Sequence, residues 1–210
     1  MNRMITRVLP LCLALSALAG CAGMSEQACV TADWRTVGFE DGTLGRSVAS
    51  IGNYRQACAE HGVAPDLESY RAGHAEGVEV YCRASNGFEV GRSGAAYQGV
   101  CPTNLEGDFV AEYNSGRRLF ELESALRNTE ARIASNYRTQ ENIKQELTAI
   151  GVTMIASETT VEQRLQLVTR SADLGRHYGE LTAEIQQLER DRAVHERDLL
   201  DYRQTLASRF

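Results

Sequence analysis

The sequence predicts an all-α protein: a compact disulfide-bonded domain of short Gly-rich helices, followed by a long antiparallel coiled-coil helical hairpin. Three observations carry that expectation. Through the first half of the chain, glycines recur three or four residues apart, a spacing that gathers them on one helix face. Cys29, Cys58, Cys82 and Cys101 all fall in the same stretch. Beyond Arg117, apolar residues adopt an alternating three-four spacing that persists almost to the C-terminus. Fifteen of the 18 glycines precede Arg117, so the change of domain is expected there, with a Gly-rich domain over 29–117 and the hairpin over 118–210.

The N-terminus reads as a cleaved leader over 1–20. Arg3 and Arg7 give it a positive start, and Val8 to Ala19 form an apolar run too short to span a bilayer permanently. It ends in Leu18-Ala19-Gly20-Cys21, which resembles the lipobox of bacterial lipoproteins. The resemblance implies cleavage before Cys21, a diacylglyceryl thioether on its sulfur, and a third acyl chain, such as palmitate, on its new amino group. Each buried CH₂ contributes roughly 0.8 kcal/mol, so two or three chains anchor stably where one does not. Ala22 stands where an Asp often retains such proteins at the inner membrane, so the outer membrane is expected, with the protein facing the periplasm. Residues 21–28 then form a short lipidated tether.

Removing Arg3 and Arg7 lowers the formal charge of −6 by a further two. An acidic chain without a basic cluster does not suit nucleic acid. Lys144 is the only lysine. Four cysteines in an exported domain read as two disulfides. Their separations of about twenty to thirty residues do not fit zinc, whose cysteines sit two to four apart. Three pairings are possible. Antiparallel packing of the first two helices would join Cys29 to Cys58 and leave Cys82 for Cys101.

Within 29–117, Ser47 to Ala59 has near-helical spacing at Val48, Ile51, Tyr54 and Cys58, and His61-Gly62 suits a C-terminal stop. Asp66 follows Pro65 as an N-cap, with Ser69 three residues on, opening a helix that carries Tyr70, Gly73, Gly77 and Tyr81. Ser85-Asn86-Gly87 reads as a turn, and Pro102 as the end of the next element. In the hairpin, Leu119, Leu122, Leu126, Ile133, Ile143, Leu147 and Ile150 form one seam, with Thr129, Asn136 and Gln140 in its polar slots. Leu167, Leu174, Tyr178, Leu181, Ile185, Leu188, Leu199, Tyr202 and Leu206 form the other, completed by Ser171, Arg192 and His195. Ser157, Thr159 or Thr160 can cap the return helix. Arms of about 40 residues would each reach ~60 Å at 1.5 Å per residue.

An ordered series runs through the first domain. It comprises Asp33-Trp34, Gly38, Asp41-Gly42 and Gly45, then Tyr70, Gly73, Gly77 and Tyr81-Cys82, then Asn86-Gly87, Gly91, Gly94, Tyr97, Gly99 and Cys101-Pro102, then Tyr113 and Gly116. It resembles the bacterial lipoprotein family known as domain of unknown function 2799, over about residues 29–120. The resemblance implies a lipoprotein and carries no activity with it.

For chemistry the sequence offers little. It has no HExxH, GxSxG or Walker loop, and His61, His74, His177 and His195 form no ligand pattern. No metal, cofactor or catalytic residue is expected. Glu40 and Asp41 are the one suggestive acidic pair, able in principle to hold a cation or serve acid–base work. Trp34, Tyr70 and Tyr97 could join them in a ligand platform, although aromatics in a domain poor in large aliphatics more often form the core. The leading expectation is a non-enzymatic envelope lipoprotein, held to a membrane through Cys21, that contacts a protein partner or a second copy through its hairpin. The alternative is a periplasmic binding module for a small ligand or cell-wall fragment, using the aromatic and acidic residues. A hydrolase using Glu40 or Asp41 ranks third.

Overall fold

A computed structural model describes residues 24–209. The leader, the lipobox with Cys21, and Phe210 lie outside the described residues. All regular structure described is helical: α1 (Glu26–Thr31), α2 (Trp34–Thr43), α3 (Ile51–Ala59), α4 (Leu67–Tyr81), α5 (Ala84–Arg92), α6 (Thr103–Ile155) and α7 (Val161–Ala207). A 3-10 turn, Val48–Ser50, leads into α3. Two disulfides are present, Cys29–Cys58 and Cys82–Cys101. They close loops of 29 and 19 residues, and loops of that length correspond to about 3–4 kcal/mol each through restriction of the unfolded chain. The described residues divide into two compact units, one ending at Gly77 and the other beginning at Val78.

In the first unit, two helices start by the same device. Asp33 accepts hydrogen bonds from the Arg35 and Thr36 amides and from the Thr36 hydroxyl. Asp66 does the same for the Glu68 and Ser69 amides and the Ser69 hydroxyl. An Asp with a hydroxyl residue three positions on therefore caps both α2 and α4. Gly62, at φ 71°, ends α3, where a side chain would be strained. Helices α2 and α4 then meet backbone to backbone. A Cβ on Gly38 would lie 2.0 Å from the Tyr70 carbonyl oxygen, and one on Gly73 would lie 1.9 Å from that of Arg35. Cys29, Trp34, Ile51, Cys58 and Tyr70 form the core of this unit.

The second unit repeats the close approach between α5 and α6. A Cβ on Gly87 would meet the Phe109 carbonyl oxygen at 2.4 Å, one on Gly91 that of Tyr113 at 2.1 Å, and one on Gly116 that of Phe88 at 2.0 Å. Phe109 is fully buried among Tyr81, Tyr97 and Tyr113, beside the Cys82–Cys101 bridge. Two sequence expectations need correcting here. Ser85-Asn86-Gly87 is not a turn but lies inside α5. The Asn86 amide donates to the Tyr81 carbonyl at 2.7 Å, and Gly87 is needed for contact rather than for a bend. Pro102 does not end an element but caps the start of α6, where its missing N–H costs nothing. Helix α6 therefore runs unbroken through residue 117, where the sequence suggested a boundary. Gly107 and Gly116 within it cost about 1 kcal/mol each in helix propensity, and Gly116 is retained at the contact with α5.

Helices α6 and α7 contain 53 and 47 residues, about 80 and 70 Å long at 1.5 Å per residue. Leu119 and Leu122, near the start of α6, cluster with Leu199 and Leu206, near the end of α7. Ile143 and Ile150 cluster with Leu174 and Leu181. Polar pairs mark the same register: Glu123 with Arg203, Arg132 with Glu184, Gln140 with Thr182, and Glu146 with Arg170. The exposed ion pairs are each worth less than about 1 kcal/mol. The apolar clusters hold the pair together, and the polar contacts fix its alignment. Thr160 caps α7 through a reciprocal box with Gln163.

Candidate functional site

The acidic pair is not a pair in space. Successive residues on a helix point about 100° apart. Glu40 is exposed, whereas Asp41 turns into the first unit and is buried. Its two oxygens receive three donors: the Tyr70 hydroxyl at 2.7 Å, the Tyr54 hydroxyl at 3.2 Å and the Arg46 guanidinium at 2.8 Å. Next to this network the His74 ring packs over Tyr70 and its Nε2 lies 2.8 Å from the Arg46 carbonyl oxygen. Both Asp41 oxygens thus accept hydrogen bonds from within. The arrangement ties α2, α3, α4 and the turn after α2 into one polar knot.

Trp34 and Tyr70 are buried in the same core, with Tyr54 between them at ring separations of 5.9 and 6.1 Å. Neither presents a ring face outward. Tyr97 belongs to the second unit, where its hydroxyl donates to Glu106 and accepts from the Cys101 amide. It braces the loop that carries the disulfide. Of the sequence-nominated residues, then, Trp34, Asp41 and Tyr70 share one core, Glu40 faces solvent and Tyr97 performs a separate packing role. His61 reaches the Met24 carbonyl oxygen at 3.2 Å. Among the described residues no three His, Cys, Asp or Glu side chains gather as metal ligands would. Arg46 is the partner that sequence reading missed; it sits five residues after Asp41, beyond one helical turn and in a loop.

Burial, followed by the hydrogen bond to Asp41, pushes the Tyr70 phenol far above its ordinary value, and burial with the Asp41 charge pushes Tyr54 the same way. Folding therefore favours the protonated phenols. Their stabilising contribution is complete below about pH 10, the ordinary phenol value, and is lost as the pH rises beyond it. The melting temperature should fall as the pH rises above about 10, and Tyr70→Phe should flatten that fall. Equal slopes for the two proteins would contradict the assignment.

A different surface stands out at the far end of α6 and the beginning of α7. Ile155 is 82 % exposed, Val161 84 %, Leu165 68 %, Val152 64 % and Val168 50 %. At 100° per residue, none of these lies on the seam formed by Ile143, Ile150, Leu174 and Leu181. The segment between the helices is held firmly. The Arg164 guanidinium donates to the carbonyls of Met154, Ala156 and Thr159, and the Thr159 hydroxyl donates to the Thr153 carbonyl. Sequence reading passed over these apolar residues because they fall out of register with the seam, and that mismatch was the available signal. A groove of about 480 Å³ lies elsewhere in the second unit, between Phe88, Glu89, Glu112, Leu206 and Arg209, with Arg209 paired to Glu112 across it. No helix among the described residues is long and apolar enough to cross a membrane.

Residues 33–118 match the model of the family described as "Protein of unknown function (DUF2799)". No curated protein and no solved structure matches the chain.

Proposed function

We propose that this chain, whose residues 33–118 belong to the DUF2799 family, is an envelope lipoprotein that works by protein contact rather than by catalysis. Cys21 carries the lipid and holds the protein on the periplasmic face of the outer membrane. Helices α6 and α7 act as an antiparallel coiled-coil hairpin that meets a protein partner. The observation that supports this most strongly is the α6–α7 pair itself. Its apolar seam is interrupted by Thr129 and Gln140, both buried, with Gln140 donating to Thr182 across the pair. A polar residue in such a seam costs stability and specifies register. A merely stabilising pair would gain from Leu there. A pair that must hold its tip and flanks in a fixed position gains from the register. The closed network around Asp41 supports the absence of catalysis in the first unit, since its one buried carboxylate is already satisfied.

The anchor is tested in cells fed a labelled fatty acid. The chain should take up the label and sediment with outer membranes, and Cys21→Ala should abolish both. Labelling that survives Cys21→Ala, or a soluble wild-type protein, would remove the lipoprotein reading.

A further inference from the structure

We propose that the first unit rests directly on the membrane surface, and that the groove beside Met24 is its contact with the lipid headgroups. The inference rests on the lipid anchor proposed above at Cys21 and deepens it by naming the face that meets the bilayer. Three observations carry it.

The first is how early the chain is fixed. The Ser25 hydroxyl accepts from the Ala28 amide and caps α1. One residue before it, Met24 already packs against the core of the first unit. The Met24 carbonyl oxygen lies 3.2 Å from His61 Nε2, just past the end of α3. Its thioether sulfur lies 3.9 Å from the Cys58 sulfur of the Cys29–Cys58 bridge. Backbone and side chain of Met24 are thus both tied to the folded body.

The second is reach. Met24 follows Cys21 by three residues, and three residues of fully extended chain span at most about 11 Å. The acyl chains hold Cys21 at the level of the headgroups, a layer roughly 5–8 Å deep on each side of the hydrocarbon. Met24 therefore stays within about 11 Å of a residue that is itself at the membrane surface. A single α-helix is already about 10–12 Å across. The space beside Met24 is too narrow for a folded partner, and the bilayer is what covers this face.

The third is the make-up of the face. Met24 lines one groove of about 590 Å³ with Asn53, Gln56, Glu60 and His61, so these residues adjoin it. Ser25 is shared with a second groove that runs past Gln27 and Val30. The amides and hydroxyl of these walls suit the phosphate and ester oxygens of a headgroup layer. Neither groove is lined by an aromatic residue, a lysine or an arginine. Those are the residues with which a surface binds a bilayer unaided. The contact is accordingly imposed by the short tether, not by affinity of the face itself.

The test uses the full-length acylated chain in vesicles of phosphatidylethanolamine and phosphatidylglycerol. A photoreactive residue replaces Gln56, and the adduct is read by mass spectrometry after reduction and tryptic cleavage. The peptide between Arg55 and Arg71 is separate from the one that carries Cys21. A second version has a ten-residue Gly-Ser linker inserted between Ala22 and Gly23. The proposal expects a phospholipid adduct at position 56. The linker should weaken it at least about tenfold, because ten flexible residues add roughly 16–19 Å of reach. Helix content and melting temperature should be the same with and without the linker. An acylated, vesicle-bound chain with no adduct at position 56 would overturn the contact and leave the anchor standing. A chain purified without acyl groups on Cys21 would remove the anchor and the contact together. An adduct undiminished by the linker would overturn the tether as its cause. In living cells, a protein adduct at position 56 in place of phospholipid would overturn the bilayer as the occupant.

Discussion

Gly73→Ala should cost the first unit about 2–3 kcal/mol, a large share of the roughly 5–15 kcal/mol that holds a typical domain together. One added methyl carbon would sit 1.9 Å from the Arg35 carbonyl oxygen, which is backbone and can yield only if α2 and α4 move apart. The gain in helix propensity from replacing glycine, about 1 kcal/mol, opposes this and is too small to reverse it. Gly38→Ala should behave alike, and Gly91→Ala and Gly116→Ala should do the same to the second unit, where carbonyl oxygens lie 2.1 and 2.0 Å from the built carbon. The control is internal. A Cβ on Gly52, Gly175 or Gly179 would have nothing within 4 Å, so alanine there should stabilise by roughly 0.5–1 kcal/mol. Urea denaturation of the two sets should give opposite signs. If Gly73→Ala and Gly175→Ala shifted stability in the same direction, the helices would not be packed as described.

Asp41→Ala should be the most damaging change of a polar residue in the first unit. It strips the Tyr70 hydroxyl of its acceptor inside the core and removes the acceptor of Tyr54 and Arg46. Breaking a buried charged pair by deleting one member costs about 3–5 kcal/mol. Here about 2–4 kcal/mol is expected, because Arg46 is half exposed and can turn to water. Asp41→Asn keeps the shape but sets amide donors against the Arg46 donor, so it should fall between wild type and Asp41→Ala. With Tyr70→Phe already present, the cost of Asp41→Ala should shrink by at least about 0.5 kcal/mol, since the two share one hydrogen bond. Glu40→Ala should stay within about 0.5 kcal/mol of wild type. Chemical denaturation of wild type and the five variants checks the order, and a Glu40→Ala loss equal to that of Asp41→Ala would contradict it.

The all-helical class, the two disulfides and the presence of two long helices were legible because each left a simple trace. A three-four apolar rhythm survives single-residue reading, and Leu119 to Ile150 were found by it. So were Thr129 and Gln140, whose burial followed from their place in the rhythm rather than from their chemistry. Asp66 and Gly62 were legible as helix punctuation for local reasons. What failed was local reasoning where tertiary packing decides. Ser85-Asn86-Gly87 has the composition of a turn, yet the glycine is there to admit the Phe109 carbonyl. Pro102 has the look of a stop, and only the direction in which the helix continues makes it a start. The acidic residues were misleading for a related reason. Adjacency in sequence suggested that Glu40 and Asp41 act together, whereas a helix separates neighbours and brings Asp41 to residues 13 and 29 positions away. The exposed apolar residues between 152 and 168 were passed over because they fall outside the seam's rhythm, and that mismatch was their one trace in the sequence.

The central claim, that the α6–α7 pair is the part of the molecule that acts, is tested most directly by photo-cross-linking in living cells. A photoreactive residue is placed at Arg138 on α6, at Leu165 near the connection, and at Glu40 on the first unit, and the adducts are identified by mass spectrometry. The account predicts a recurrent protein adduct from at least one of the two α6–α7 positions and none from Glu40. Adducts from Glu40 alone, with Arg138 and Leu165 silent, would contradict it and move the function to the first unit.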